Sequence, residues 1–347
     1  MKYADFLGFP GLQLNVIPGM PPTLRMPPEN WKPNAKILGL TVAPPPIMPL
    51  GDTMKKVATA WDQYLRAFRW NKNIVIGMPE NPSALGVLLN DDNKQTLIIP
   101  GLQGVPKDAT ARALADIGMR YCGITYQGEE WTGGGFLRPE LPLTKEGEKF
   151  VRGLFDYGIV PDISHCGYET ARDVLKIAMD VKKPIVASHG GCGDVFFAHG
   201  RNLPDDILHG VADTGGIVGI VMIPFILGPE SRRENSNNED DFNLFTWHLV
   251  HAVNVCGKEN VCIGSDGYYS HIPQDEWKAH YNFLAKGLNG EKMGARFPDQ
   301  IIMPENLNTH DKLPKIESLL KGVFPDDVIN GVMGSNLERF LRKEVFR

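Results

Sequence analysis

The sequence predicts a protein of the α/β class, a (β/α)8 TIM-type barrel. Three observations point to the barrel. Short runs of Val, Ile and Leu bounded by Gly or Pro recur along the 347 residues, these runs lack polar alternation, and segments with apolar residues three or four apart separate most of them. Apolar runs without alternation suit strands buried on both faces of a parallel sheet, and such a barrel typically takes about 250 residues. A doubly wound open sheet is the competing arrangement.

In chain order, the candidate strands are GLQLNVIP (11–18), KILGLTVAP (36–44), TLIIPGLQG (96–104), RYCGITYQ (120–127), GIVPDISH (158–165), PIVASHGG (184–191), GGIVGIVMI (215–223) and NVCIGSDG (260–267). Helical spacing is clearest at 52–70, 108–119 and 169–181, where each segment opens with Asp or Glu in its first turn, as the helix dipole favours. The surplus over a bare barrel is expected in a Pro-rich N-terminal arm of about residues 1–35, in the 131–146 loop, and in a polar insertion at about 228–241, GPESRRENSNNEDD. The whole chain therefore reads as one barrel domain.

Composition narrows the function. Thirty-six basic against 41 acidic residues give a formal charge of -5, which supplies no surface for neutralising phosphates, so no nucleic-acid partner is expected. The five cysteines form no CxxC pair and suggest neither a disulfide framework nor a zinc ribbon. The N-terminus MKYADFLGFPGLQLNVIPGMPP is unlike a secretory signal, and no run approaches the roughly 20 apolar residues of a membrane span. The expectation is a cytoplasmic protein that acts on a small molecule, with no membrane partner.

Catalytic groups of an α/β barrel sit at the C-terminal ends of its strands. His165, His189 and Asp266 each close a strand candidate. Neutral imidazole is a common zinc ligand, two on neighbouring strands can converge on one ion, and a carboxylate beside them can hold metal or move a proton. A single strand-end His more often caps a helix or bonds a carbonyl; two of them with an Asp favour a site. WTGGGF (131–136) offers backbone freedom for a lid, since no GK[ST] follows it. There is no GxSxG elbow. His199 reads as part of a polar turn, His248 and His251 as satisfied on the flanks of a helix, and His209, His271, His280 and His310 as surface residues.

DISHCGYETARDVL, KKPIVASHGG, HGRNLPDDILHGVADTGGIVGI and VCIGSD, with DIGMRYCGITY and VMGSNLERFL, resemble stretches of the renal (membrane) dipeptidase family, zinc hydrolases on a (β/α)8 barrel. The likeness runs from about residue 96 to 275 and again near 331–341. It implies that His165 and His189 bind one of two zincs. It further implies that Asp266 binds the other and handles protons, and that Arg201 contacts substrate, where its guanidinium can fork onto a carboxylate. It also implies a homodimer.

The sequence departs from the family pattern at the other zinc. The HxD pair of the first strand is absent, with Gln13 and Asn15 the nearest alignment; the bridging Glu is Gln103; and a substrate-contacting His is Tyr126. An amide carbonyl is a poor zinc ligand beside carboxylate or imidazole. Two consequences compete. In one, a single zinc stays on His165 and His189, Asp266 acts as general base, Gln103 holds water or substrate, and Tyr126 donates to the oxyanion. In the other, the mouth is metal-free and the protein is a small-molecule binder, a scaffold, or an enzyme running another reaction. A thiolate from Cys166 or Cys192 can complete a ligand set in principle, although a free Cys is most often a small buried apolar group.

Overall fold

The computed structural model describes residues 3–9, 14–15, 23–24, 31–42, 53–77, 86–87, 90, 92–197, 200–228, 238–269 and 311–346. Eight parallel strands follow one another in space as in sequence: β1 (Ala4–Asp5), β2 (Ile37–Thr41), β3 (Thr96–Leu102), β4 (Tyr121–Gly123), β5 (Val160–Asp162), β6 (Val186–Cys192), β7 (Ile217–Ile220) and β8 (Val261–Ile263). The ring is nearly closed: the Phe6 N–H donates to the Ile263 carbonyl at 2.8 Å, and the Asp266 N–H to the Leu7 carbonyl at 2.8 Å. The principal helices are α1 (Met54–Phe68), α2 (Ala111–Asp116), α3 (Lys145–Asp156), α4 (Tyr168–Val181), α5 (Asp205–Asp213), α6 (Asn238–Cys256), α7 (Lys312–Leu320), α8 (Asp326–Asn330) and α9 (Asn336–Glu344). None among the described residues is long and apolar enough to cross a membrane.

Strand residues are apolar on both faces because each face meets a different core. Leu38, Ile98, Ala187 and Val218 point outward to the helices, while Ile37, Leu97, Ile99, Val186, Ile217 and Cys262 fill the barrel interior. Leu337, Phe340 and Leu341 of α9 join that interior cluster, with the Phe340 ring 6.5 Å from Phe6. Side-chain oxygens of Thr53, Thr110 and Thr144 cap α1, α2 and α3, satisfying amide groups that the first turn leaves unpaired.

The expected first strand is corrected. The barrel begins at Ala4–Asp5, inside the stretch expected to be an arm, whereas Leu14–Asn15 pairs antiparallel with Thr23–Leu24 in a separate two-stranded sheet. Asn15 is therefore not on the first barrel strand, and Gln13 lies outside the described residues. The physical reason is that β1 is short and carries Asp5 in place of an apolar run, so it lacks the pattern the other strands show. WTGGGF is also no lid. Gly135 bridges Cys166, the Gly135 N–H donates to the Gly128 carbonyl at 2.7 Å, and residues 132–136 are buried. Of the polar insertion, 229–237 lie outside the described residues and 238–241 begin α6.

Candidate active site

The strand ends bring His165, His189, Gln103, Tyr126, Asp266 and Arg201 to one mouth. Gln103 directly follows β3, Tyr126 follows β4, His165 follows β5, His189 lies in β6, and Asp266 follows β8. The register between β6 and β7 shifts between Ala187 and Gly190, and such an irregularity re-aims side chains, here Ser188 and His189. β8 fits against that bend because Gly264 has no side chain: a Cβ there would lie 1.9 Å from the Ser188 carbonyl oxygen.

The two imidazoles face each other, with Nε2 atoms 3.0 Å apart. The Gln103 Nε2 lies 3.1 Å from the His189 Nε2. An amide nitrogen only donates, so this His189 nitrogen carries a lone pair. The opposite side of the ring agrees. Ser188 Oγ donates to Asp162 Oδ2 and lies 2.7 Å from His189 Nδ1, which must then be the protonated nitrogen. A carboxylate–hydroxyl–imidazole chain thus fixes the tautomer that presents Nε2 to the mouth. Burial, and then the Arg201 charge, hold His189 well below the usual imidazole range, so it stays neutral. The His165 ring stacks on Tyr126 at 4.3 Å between centroids.

Asp162 accepts from Ser164 N at 3.0 Å, Ser164 Oγ at 2.6 Å, Ser188 N at 3.0 Å and Ser188 Oγ. Burial pushes its carboxyl up and these donors oppose the shift. Arg201, buried, donates to the carbonyls of Ser164 and His189. It thereby braces the two turns that carry the histidines, and its charge also reaches Asp266 and Tyr126.

Asp266 is half-buried and has φ +53, a left-handed conformation uncommon outside Gly, Asn and Asp. Its carboxyl is raised to about 7, chiefly by desolvation; the Arg201 charge and a hydrogen bond from Gln103 pull the other way. Gln103 therefore links Asp266 to His189. Behind Asp266, Asp5 accepts from the Ser265 N–H at 2.8 Å and the Tyr269 hydroxyl at 2.8 Å. Lys312, fully buried, is drawn down to about 8 by burial, while Asp5 and Asp266 pull it back up.

Two zinc-bound nitrogens at 2.0–2.1 Å and a tetrahedral angle lie about 3.4 Å apart, close to the separation of the histidine pair. The pair therefore fits as two ligands of one ion. No group of three or more His, Cys, Asp or Glu is arranged to hold a metal among the described residues. The thiols do not complete the set. Cys192 Sγ donates to the His248 carbonyl, and burial pushes the Cys166 thiol up to about 12. The other histidines are structural where described: His248 Nδ1 accepts from Cys192 N at 2.8 Å, His251 pairs with Asp205 at 2.7 Å, and His209 pairs with Asp213 on the surface. His199, His271, His280 and His310 lie outside the described residues.

Reading the sequence alone missed Asp5, Asp162 and Lys312 and the serines that join them to the site. A signal was present: ISH, ASH and GSD place a serine directly before each of His165, His189 and Asp266.

The same parallel barrel is found in solved structures. An amidohydrolase from Pseudomonas aeruginosa matches at TM-score 0.72 and 21% identity, covering 99% of this chain and 96% of that one. A metallopeptidase from Rhodobacter sphaeroides, bound to a phosphinate mimic of the dipeptide L-Ala-D-Ala, matches at TM-score 0.70 and 17% identity, covering 99% of both chains. At these identities the likeness is one of fold. The sequence profile of the membrane dipeptidases, peptidase family M19, matches residues 88–282, and the chain belongs to that family. An uncharacterized dipeptidase of Schizosaccharomyces pombe is 26% identical over 73% of this chain and 54% of its own length. The dipeptidase aclJ of Aspergillus oryzae is 26% identical over 70% of this chain and 50% of its own. The chain thus spans about half the length of these curated relatives.

Proposed function

We propose that the protein hydrolyses a small amide or dipeptide-like substrate with one zinc held by His165 and His189. The observation that carries this reading is the facing of the two Nε2 atoms at 3.0 Å, with His189 wired through Ser188 to present its lone pair. When bound, the ion supplies Lewis acidity that polarises a carbonyl and acidifies water. Asp266 takes the proton of the attacking water and returns it to the leaving amine as the C–N bond breaks. Burial raises the Tyr126 phenol, so it stays protonated and donates to the oxyanion that develops. Gln103 orients the water or the substrate amide beside Asp266. Arg201 contributes positive charge that draws a substrate carboxylate into the mouth.

Turnover of a panel of dipeptides and N-acyl amino acids, with and without chelator, tests the reading. Chelator-sensitive hydrolysis is the expected result, and its absence from the whole panel counts against the reading. A second reading, a metal-free binding protein, is favoured by one feature: the Gln103 amide already donates to the His189 nitrogen that an ion requires. Saturable small-molecule binding without turnover or bound metal would select it.

A further inference from the structure

Asp5 is the hub of the seam where the barrel closes. Its Oδ1 accepts from the N–H groups of Leu7 at 3.2 Å and Ser265 at 2.8 Å. Its Oδ2 accepts from the hydroxyls of Ser265 and Tyr269, the latter at 2.8 Å. Among the described residues four donors surround this carboxylate; burial pushes the carboxyl up, while the Lys312 charge and these donors favour its ionised form. The Ser265 hydroxyl accepts in turn from the Gly267 N–H at 3.1 Å, and the Asp266 N–H donates across the seam to the Leu7 carbonyl. The backbone N–H groups of 265, 266 and 267 are thereby committed to Asp5, to the Leu7 carbonyl just past β1, and to the Ser265 hydroxyl that Asp5 holds, and these bonds bracket the left-handed turn at Asp266.

A buried carboxylate needs a countercharge, and Lys312 supplies one. It is the first residue of α7, where the helix dipole disfavours a cation, and it is fully buried. Its Nζ lies over the face of the Tyr269 ring, 3.9 Å from the centroid, while the hydroxyl of the same ring donates to Asp5. A cation on the ring face is attracted to the π system and strengthens the phenol as a donor.

We infer that Asp5, Tyr269 and Lys312 form a buried charge-balanced relay that positions Asp266, with the lysine ammonium offsetting the Asp5 carboxylate. The relay rests on the proposed hydrolase only for its catalytic consequence; the positioning itself is independent of it. Asp5 and Lys312 are positioning residues, since neither reaches substrate.

The test is backbone amide hydrogen exchange at Ser265, Asp266 and Gly267 in the full chain, for the wild type, Asp5→Asn, Lys312→Met, Lys312→Arg and the double variant Asp5→Asn/Lys312→Met. Turnover by each is measured in parallel. Lys312→Met leaves a buried carboxylate uncompensated, and exchange at the three amides is expected to rise about ten- to hundredfold, the scale of one hydrogen bond to a charged group. Lys312→Arg is expected to stay closer to the wild type. The neutral double variant is expected to recover protection and kcat relative to either single variant, which a purely packing role would not produce. If Lys312→Met does not fold, Lys312→Arg and the double variant decide. Unchanged exchange in Lys312→Met, or a double variant no better protected than the singles, overturns the relay. Absence of turnover in the wild type sinks the hydrolase reading and leaves the exchange result to judge the relay.

Discussion

Asp266 bears a left-handed backbone and a desolvated carboxyl at the same residue. Strain of both kinds persists only where the surrounding structure enforces it, and it clusters at functional sites. Asp266→Asn keeps the turn, because Asn tolerates this conformation, but it cannot accept a proton; turnover is expected to fall about 10²- to 10⁴-fold. In the wild type, kcat/KM is expected to rise with pH through about 7 as this base loses its proton. The sign for stability is opposite. The folded carboxyl holds its proton more tightly than the unfolded one, whose value is about 4, so stability is lost as pH rises between these values. The advantage in Tm of Asp266→Asn over the wild type is expected to grow across that window, and a constant difference would argue against a raised carboxyl. Gln103→Glu places a carboxylate between Asp266 and His189; elemental analysis should find more zinc per chain than in the wild type. An unchanged content would show that Gln103 does not limit metal binding. At this scale the sequence displayed His165, His189 and Asp266 because each closes an apolar run that reads as a strand. Asp5 stayed hidden because its role depends on contacts with Ser265 and Tyr269, about 260 positions away.

The strands and their turns hold these groups in place through paired short elements. Asp162 at the end of β5 collects Ser164 and Ser188, and each serine immediately precedes one of the histidines. Ser188→Ala removes the hydroxyl that fixes the His189 tautomer, and zinc affinity measured by competition with a chelator is expected to fall about 10- to 100-fold. Undiminished affinity would show that the relay is not used. Gly264→Ala forces a methyl group onto the Ser188 carbonyl; the predicted cost in denaturant unfolding is about 1–3 kcal/mol, and a neutral effect would mean that β8 yields there. The long strands were legible because both faces are apolar, as at TLIIPGL in β3. β1 was not, since two residues ending in a buried Asp carry no hydrophobic period, whereas the LQLNVI stretch shows one, and its described residues Leu14–Asn15 pair with Thr23–Leu24 instead. The loop WTGGGF misled for a related reason. Its glycines serve close packing, Gly135 against Gln127 and Gly134 against Arg138 and Leu141, and composition alone does not separate packing from mobility.

In the whole molecule, the barrel closes through polar groups on the site side and apolar ones below. Hydrogen bonds between the turns after β8 and the residues at β1 join the seam near the mouth, while Phe340 and Leu341 of α9 pack into the interior cluster with Phe6. The two sides of the mouth differ: on one the histidines face each other with the His189 tautomer fixed by Ser188, while on the other Asp266 stands before the buried Asp5 and Lys312, with Gln103 between. That asymmetry makes metal stoichiometry the central quantity. The decisive measurement is zinc per chain by elemental analysis, on protein purified without chelator and then supplied with zinc, beside a His165→Ala/His189→Ala double variant. The account predicts about one ion in the wild type and none in the double variant. No zinc in the wild type even after supply, or a content unaffected by removing both histidines, would contradict it.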